Sequence, residues 1–238
     1  MTVPPWLSSL VTRAGDPTRE RYWRRETAPA GQPGHRESAV LLLFAPIGAT
    51  SDPDGGGAPT GGQRADTEQV AVRPALESVS ILLTERAHSL RSHPGQVSFP
   101  GGRREPGDPD LVTTALRETH EEVGVEPGSV EVAGVLPPIN LAVSSHDVSP
   151  VLGWWPRPGR VWVREPAEVA SVHQLPLAHV VDPARRFQVR APSGWVGPAF
   201  DANGLIVWGF TALVLADLVQ IAGWERPWDL ADVRDLPL

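Results

Sequence analysis

The sequence contains no cysteine, and this absence excludes several classes of protein. Disulfide-stabilised scaffolds, thiolate zinc sites and enzymes with a cysteine nucleophile all need a thiol. A run of about 18 apolar residues is also missing, so we predict no membrane-spanning helix. Residues 1–16 lack the basic start and the apolar stretch of a secretory signal. We therefore expect a cytoplasmic protein.

An excess of positive charge is missing too. Asp and Glu number 28 against 21 for Lys and Arg, which gives a formal net charge of −7. Proteins that bind nucleic acid or anionic membranes over a broad surface are usually basic. We therefore expect neither a nucleic acid nor a membrane as a partner.

Glycine and proline, in contrast, are abundant, with 23 and 26 among 238 residues. The length suits one sizeable domain, taking roughly 150 residues per domain as a prior. We predict a single domain over residues 37–238, preceded by an N-terminal helix and a polar arm over residues 1–36. Within the domain, Gly, Pro, Asp and Thr dominate residues 47–67 and predict a flexible loop.

Apolar runs and turn signals predict a mixture of strands and helices without regular alternation. We predict strands at residues 39–45, 77–84, 130–136, 148–155 and 160–163, and helices at 3–15, 109–123, 168–175 and 206–221. This order fits an α+β fold, a compact α/β/α sandwich with a mixed sheet between helices, better than a barrel or a doubly wound sheet.

The predicted helix at residues 109–123 has clear signals at both ends. Asp108 is a suitable N-cap, and Pro109 suits the first helical position. Gly124 can adopt the left-handed conformation that ends a helix. This segment is therefore the best-defined helix in the sequence.

Three carboxylates fall on one strip of this helix. At about 100° per residue, Glu118, Glu121 and Glu122 lie side by side, next to the apolar face. Like charges at neighbouring positions repel, and Arg117 can pair with Glu121 four residues on but cannot neutralise all three. A hard divalent cation such as Mg²⁺ or Mn²⁺ can. The alternative is a solvated acidic face, and the spacing alone leaves both interpretations open.

Two glycines precede the helix, in the sequence Phe99-Pro100-Gly101-Gly102. Because glycine permits backbone conformations that are closed to other residues, we expect this turn to bring the backbone close to the carboxylates. A backbone carbonyl there could complete the coordination of a cation.

From Gly102 onward the sequence resembles the box of the Nudix hydrolases: Gly, five residues, Glu, seven residues, then Arg-Glu-aliphatic-x-Glu-Glu-x-Gly-aliphatic. The matching positions are Gly102, Arg117, Glu118, Glu121, Glu122, Gly124 and Val125. Three features differ from the box. Asp108 stands where Glu is usual, eight residues (109–116) replace seven, and Thr119 replaces an aliphatic residue.

The resemblance implies a Nudix-type α/β/α sandwich that hydrolyses a nucleoside diphosphate linked to another moiety, using Mg²⁺ or Mn²⁺. Carried over by position, Glu121 and Glu122 would be the principal metal ligands. Glu118 would be a further ligand or the base that deprotonates the attacking water. Arg117 would orient the glutamates, and Gly102 would offer its carbonyl to the metal.

A second, narrower resemblance covers residues 82–102, LLTERAHSLRSHPGQVSFPGG. These residues are similar to the pattern that marks the coenzyme A pyrophosphatase branch of the Nudix family. The fixed positions are filled by Leu82, Leu83, Thr84, Arg86, Ala87, Arg91, Gly95, Phe99, Pro100, Gly101 and Gly102. The resemblance implies cleavage of coenzyme A or acyl-CoA, with Arg86, Arg91 and Gly101 binding the substrate.

Two alternatives remain open from the sequence. The substrate is another nucleoside diphosphate derivative (ADP-ribose, NADH or a dinucleoside polyphosphate), or the chain is a catalytically silent nucleotide-binding module. In each case we expect a small nucleotide as partner, and a homodimer is left open. For Glu165 and Glu168 we favour a helix-cap or surface position. The alternative is an extra carboxylate for the site, which some Nudix enzymes supply from a downstream segment.

Overall fold

The computed structural model describes residues 2–16, 36–48, 75–141 and 146–236. In these ranges the elements are α1 (Pro5–Ala14), β1 (Arg36–Pro46), β2 (Val79–Arg86), β3 (Val97–Ser98), β4 (Gly101–Arg103), α2 (Leu111–Val123), β5 (Glu131–Val135), β6 (Ile139–Leu141), β7 (His146–Trp154), β8 (Val169–Pro176), α3 (Leu177–Val181), β9 (Arg186–Arg190), β10 (Val196–Ala202), β11 (Leu205–Val207), α4 (Gly209–Ala222) and β12 (Val233–Asp235). Residues 17–35 of the predicted arm and 49–67 of the predicted loop lie outside them.

A mixed eight-stranded sheet positions the candidate site. Strands β3, β2, β1, β7 and β5 follow one another across it, while β4 pairs with β1, β6 with β7 and β8 with β2. The β1–β7 pair is parallel, and the other pairs are antiparallel. The apolar run within β1 lies at the centre, buried on both faces, as its composition predicts.

Helices cover both faces of this sheet. On one face α2 packs through Ala115 and Val123 against Leu41 and Val151. On the other face α1 and α4 pack around Phe44, and Trp6 of α1 meets the Phe44 ring edge-on with the centroids 5.4 Å apart. These layers confirm the α+β sandwich predicted from the sequence. None of the helices described is long and apolar enough to cross a bilayer.

Three sequence predictions for secondary structure are wrong. Residues 169–175 belong to strand β8 (Val169–Pro176), because β2 offers them a hydrogen-bonding edge along most of their length. Residues 160–163 pair with no strand in the described part of the chain and lie across the end of α2, where the Trp162 N–H donates to the Val123 carbonyl at 3.4 Å. Residues 206–221 divide at Gly209, with a strand before it and α4 after it.

A second sheet, with the order β11-β10-β9-β12, was not predicted from the sequence. Its strands are short and end in polar turns. Its small core contains Phe187, Val189 and Ala199. Alternation over so few residues is a weak signal, and long-range pairing supplies most of the stability of such strands.

Candidate active site

Helix α2 begins two residues later than predicted. Asp110, not Asp108, is the N-cap: its carboxylate accepts a hydrogen bond from the backbone N–H of Thr113 at 2.7 Å. Asp110 is extended, with φ −151° and ψ 174°, so Pro109 precedes the helix. The prediction placed the cap two residues early because Asp108-Pro109 and Asp110 carry competing N-terminal signals.

Asp108 is instead buried against Arg117. Its carboxylate accepts hydrogen bonds from Nε and Nη2 of Arg117, from Oγ1 of Thr114 and from the backbone N–H of Glu105, each at 3.0 Å. These bonds, chiefly those from Arg117, hold the pKa of Asp108 well below its ordinary value. The residue in the place of the box's first glutamate therefore anchors an arginine.

Arg117 connects this anchor to the glutamates. Nη2 donates to Glu118 Oε1 at 3.1 Å and to the carbonyl of Arg103 at 3.1 Å, while Nη1 donates to Glu121 Oε2 at 3.0 Å. The predicted pair with Glu121 is present. The Glu121 side chain is 54% exposed, so it lies on the outer side of the carboxylate strip.

Glu118 lies directly against Gly102 of β4. A Cβ atom at position 102 would be 2.5 and 2.6 Å from the two carboxylate oxygens of Glu118, so any side chain there would force this carboxylate to move. The antiparallel pairing of Gly102 with Ala39 holds the glycine in this place. Burial is the main cause that raises the pKa of Glu118, and Arg117 partly opposes it.

Glu122 is the most buried of the three glutamates, with 6% of the residue exposed. Burial, followed by the negative charge of Glu118, raises the pKa of Glu122 to about 8, although the Gly101 N–H and Arg86 partly oppose this. Its Oε2 atom has no hydrogen-bond partner in the described part of the chain. A buried carboxylate oxygen without a partner is costly, which makes it a candidate ligand for a cation.

The end of helix α2 is closed by a glycine and a loop. Gly124 has φ +77° and ends the helix, as predicted. A Cβ atom there would overlap the ring of Trp162, which lies across this position. In the same loop the backbone N–H of Arg164 donates to the Glu122 carbonyl at 2.9 Å. The loop thereby fixes the last turn, which carries Glu122.

Strands β2 and β8 bring two further charges to the glutamates. Arg86, at the end of β2, acts on Glu122, and its Nε atom is buried without a partner in the described residues. Glu168, just before β8, raises the pKa of both Glu118 and Glu122 through its negative charge. Its carbonyl accepts from the Ala87 N–H at 2.8 Å, which ties this turn to β2.

The position of Glu168 corrects the sequence analysis. A helix cap is wrong, because a strand follows Glu168, whereas the alternative of a surface position is confirmed. The residue is exposed, and its charge nevertheless reaches the glutamates. No local signal could have shown this, since the pairing of β8 with β2 determines where Glu168 lies. Glu165 remains a surface residue whose carboxylate accepts from the Ala167 N–H at 3.2 Å.

Arg91 is not brought to the glutamates. It lies in the loop that joins β2 to β3 and is exposed, without a side-chain hydrogen bond or ion pair among the described residues. In the same motif Pro100 is buried, and its carbonyl accepts from the Leu41 N–H at 2.8 Å, which fixes the backbone before Gly101. The motif therefore contributes Arg86 and the two glycines to the site.

Residues 66–192 match the family model described as the NUDIX domain. The chain belongs to the Nudix family. A protein of Enterobacter sp. (strain 638), named uncharacterized Nudix hydrolase NudL, is 40% identical over 158 residues, which cover 63% of this chain and 78% of that protein. A protein of the same name from Salmonella paratyphi B (strain ATCC BAA-1250 / SPB7) is 42% identical over 152 residues, covering 60% and 75%.

Among solved structures, a Nudix hydrolase from Alicyclobacillus acidocaldarius matches with a TM-score of 0.43 and 17% identity, over 78% of this chain and 91% of that one. The NUDIX domain of Shewanella oneidensis NrtR complexed with ADP ribose matches with a TM-score of 0.39 and 19% identity, over 66% and 82%.

The residues on this Nudix helix fit a hard divalent cation. Glu122 has an unpartnered buried oxygen, Glu118 lies beside it, and the available donors are all oxygens. Within the described ranges, no three His, Asp or Glu side chains converge closely enough to hold an ion by themselves. This arrangement suits Mg²⁺, which usually takes one or two carboxylates and completes its shell with water and substrate phosphates.

Proposed function

We propose that this Nudix family member is a divalent-metal-dependent pyrophosphohydrolase of coenzyme A or acyl-CoA. Its products would be 4'-phosphopantetheine, or the acyl form, and adenosine 3',5'-bisphosphate. The observation that carries the proposal is the contiguous pattern of residues 82–102. This pattern begins in β2, includes Arg86, whose buried Nε atom has no partner among the described residues, and ends at Gly102, against which Glu118 packs.

Mg²⁺ or Mn²⁺ would be held by Glu118 and Glu122, with Glu121 at the outer side and the carbonyl of Gly102 as a further oxygen ligand. When bound, such an ion screens the negative charge of a diphosphate and lowers the pKa of a bound water. The buried, unpartnered Oε2 atom of Glu122 supports this assignment.

The protein's own groups position the substrate and take up a proton. Arg86, whose Nε atom is unpartnered, donates charge-assisted hydrogen bonds to the diphosphate oxygens. Glu118 accepts the proton of the attacking water, and Glu168, whose negative charge acts on Glu118, is the second candidate for this role. Arg117, held by Asp108, keeps Glu118 and Glu121 in orientation. Water attacks one phosphorus, and the bridging oxygen departs with the other phosphate.

A substrate panel tests the proposal. Coenzyme A, acetyl-CoA, ADP-ribose, NADH and a diadenosine polyphosphate are each offered with Mg²⁺, and the products are identified by mass spectrometry. We expect kcat/KM for coenzyme A or acetyl-CoA to exceed the others by about tenfold or more. EDTA should abolish turnover, and Mg²⁺ or Mn²⁺ should restore it.

Each alternative has its own outcome in this panel. A preference for ADP-ribose, NADH or the dinucleoside would replace the coenzyme A assignment and retain the mechanism. Turnover that resists EDTA would contradict the metal assignment. Nucleotide binding without hydrolysis of any compound would identify a silent binding module, an outcome that the complete Arg117, Glu118, Glu121 and Glu122 set argues against.

A further inference from the structure

A cavity of about 400 Å³ opens beside the segment that leads into helix α2. It lies between the beginning of β1 and the residues that join β4 to α2. A cavity of this volume is within the range of small-molecule sites. Its charged lining residues are Arg36, Glu37, Arg103, Arg104, Glu105 and Asp108.

Three of these six charges already have partners. Arg104 donates from Nη1 to Glu37 Oε2 at 2.7 Å, and its other nitrogens donate to the carbonyls of Asp108 and Pro109 at 3.2 and 2.8 Å. The Asp108 carboxylate is neutralised by Arg117. Arg104, Glu37 and Asp108 therefore form the wall of the cavity and are not available to a ligand.

The other three charges are Arg36, Arg103 and Glu105. Their side chains make no hydrogen bond or ion pair in the described part of the chain, so two positive charges face one negative charge. Arg103 is paired with Ser38 across β4 and β1, and Arg36 lies two residues before Ser38 on the same face. Such diagonal neighbours have Cα atoms about 7–8 Å apart, which long arginine side chains can span.

The cavity is close to the candidate catalytic groups. Asp108, which lines the cavity, accepts hydrogen bonds from Arg117, and Arg117 in turn donates to Glu118. The Arg103 side chain lies on the strand face of Ser38, opposite the face that meets Glu118, so an anion held in the cavity would be separate from the diphosphate. Arginine is the side chain best suited to this task, because its planar donors match the oxygens of a phosphate.

We propose that Arg36 and Arg103 form a subsite for a phosphomonoester that the substrate carries in addition to its diphosphate. The proposal rests on the proposed function, since coenzyme A carries such a group on its 3'-oxygen and ADP-ribose and NADH do not. The subsite would thus distinguish coenzyme A from 3'-dephospho-coenzyme A. Glu105 opposes the anion and limits its affinity.

Two substitutions of opposite sign test the subsite. Arg103→Ala should raise KM for coenzyme A about tenfold and change KM for 3'-dephospho-coenzyme A much less, because only the former presents the extra phosphate. Glu105→Gln should shift the same preference toward coenzyme A. Arg190→Ala, which removes a 53% exposed arginine of the second sheet, is the matched control and should change neither KM. Equal losses on both substrates in Arg103→Ala would overturn the subsite and leave the proposed function intact.

A binding measurement separates the subsite from the proposed function. Isothermal calorimetry compares adenosine 3',5'-bisphosphate with adenosine 5'-monophosphate on the wild-type chain and on Arg103→Ala. We expect tighter binding of the bisphosphate, and loss of that difference in the variant. If neither coenzyme A compound is hydrolysed, the proposed function fails, and this measurement still decides the subsite. Equal affinities on the wild-type chain would overturn it.

Discussion

Two buried carboxylates at opposite ends of one helical unit, Asp108 and Glu122, have opposite surroundings. Asp108 accepts four hydrogen bonds, chiefly from Arg117, and its pKa is held well below the ordinary value. Glu122 keeps one oxygen without a partner, and burial raises its pKa to about 8. Burial disfavours both charges, so the difference comes from the donors that surround each group.

This difference separates a carboxylate with a structural role from one that is a candidate ligand, both in the segment that contains α2. The Asp108 end is electrostatically complete, so its charge stabilises the fold. At Glu122 one buried oxygen has no partner among the described residues, and a buried carboxyl group with a strongly raised pKa is typical of a site that a ligand completes. Substitutions at the two ends should therefore have opposite effects on stability and activity.

The largest effect is expected at the incomplete end. Glu122→Gln should lower kcat with Mg²⁺ by about a hundredfold or more, because it removes a charged oxygen ligand. The melting temperature should not fall, because burial already disfavours the charged carboxylate there and Gln has the same shape without a charge. Glu121→Gln should lower kcat as well, whereas Glu126→Gln, at a 75% exposed glutamate just beyond the helix, should resemble the wild type. Near-normal rates in both of the first two variants would contradict the metal assignment.

Asp108→Asn should have the opposite profile, with stability affected first. We expect the free energy of unfolding at pH 7 to fall by about 2 kcal/mol, because the charge-assisted bonds from Arg117 are weakened. Urea unfolding measures this change. Asp110→Asn is the matched control and should cost little, because Asn caps a helix as well as Asp does. Equal losses in both variants would show that Asp108 has no special structural role.

The stability difference between the wild type and Asp108→Asn should depend on pH. The folded-state pKa of Asp108 is depressed, so its contribution to stability is full above the unfolded pKa of about 3.9 and is lost as the pH falls below it. Urea unfolding at pH 6, 5, 4 and 3 should show the gap between the wild type and Asp108→Asn narrowing below about pH 4. A gap that stays constant to pH 3 would be explained by lost packing instead of lost charge.

A smaller effect is expected where β4 meets the helix. Gly102→Ala should lower kcat by about tenfold, because the new Cβ would displace the Glu118 carboxylate. Gly107→Ala lies in the same connecting segment, where a Cβ atom would meet nothing within 4 Å, and should leave kcat unchanged. If both variants were equally active, the position of Glu118 against Gly102 would have no importance for catalysis.

The smallest effect is expected for Arg91, which belongs to the branch pattern and lies in an exposed loop. Arg91→Ala should lower kcat/KM for coenzyme A by about threefold, and lower it less for unrelated nucleotides, because an exposed guanidinium contributes only modestly to phosphate binding. Steady-state kinetics on the substrate panel measure the ratio. Equal losses on all substrates would separate Arg91 from substrate selection.

Local signals in the sequence were sufficient for the glutamate-bearing helix α2. The glutamate strip, the pair of Arg117 with Glu121 and the glycine that ends α2 all depend on residues near one another in the chain. Helical periodicity and the freedom of glycine act over such short distances. The central strand β1 was predictable for a similar reason, because its apolar run needs burial on both faces.

Competing signals caused the error at the start of the helix. Asp108 and Asp110 are both good caps, and only the position of Arg117 in the folded chain assigns one of them to an ion pair and the other to the helix. Strand β8 was predicted as a helix because its pattern is ambiguous over eight residues, and its backbone pairs with a strand some 90 residues earlier.

The order of residues along the chain was thus enough to place the acidic helix, its arginine and the glycine turn, since short-range geometry determines them. Only the folded chain decided which carboxylates are neutralised and which are left without a partner. It also decided that Glu168 and Arg86 join the glutamates and that Arg36 and Arg103 share a cavity. Pairing between distant strands creates these neighbours, and such pairing cannot be predicted from the local sequence.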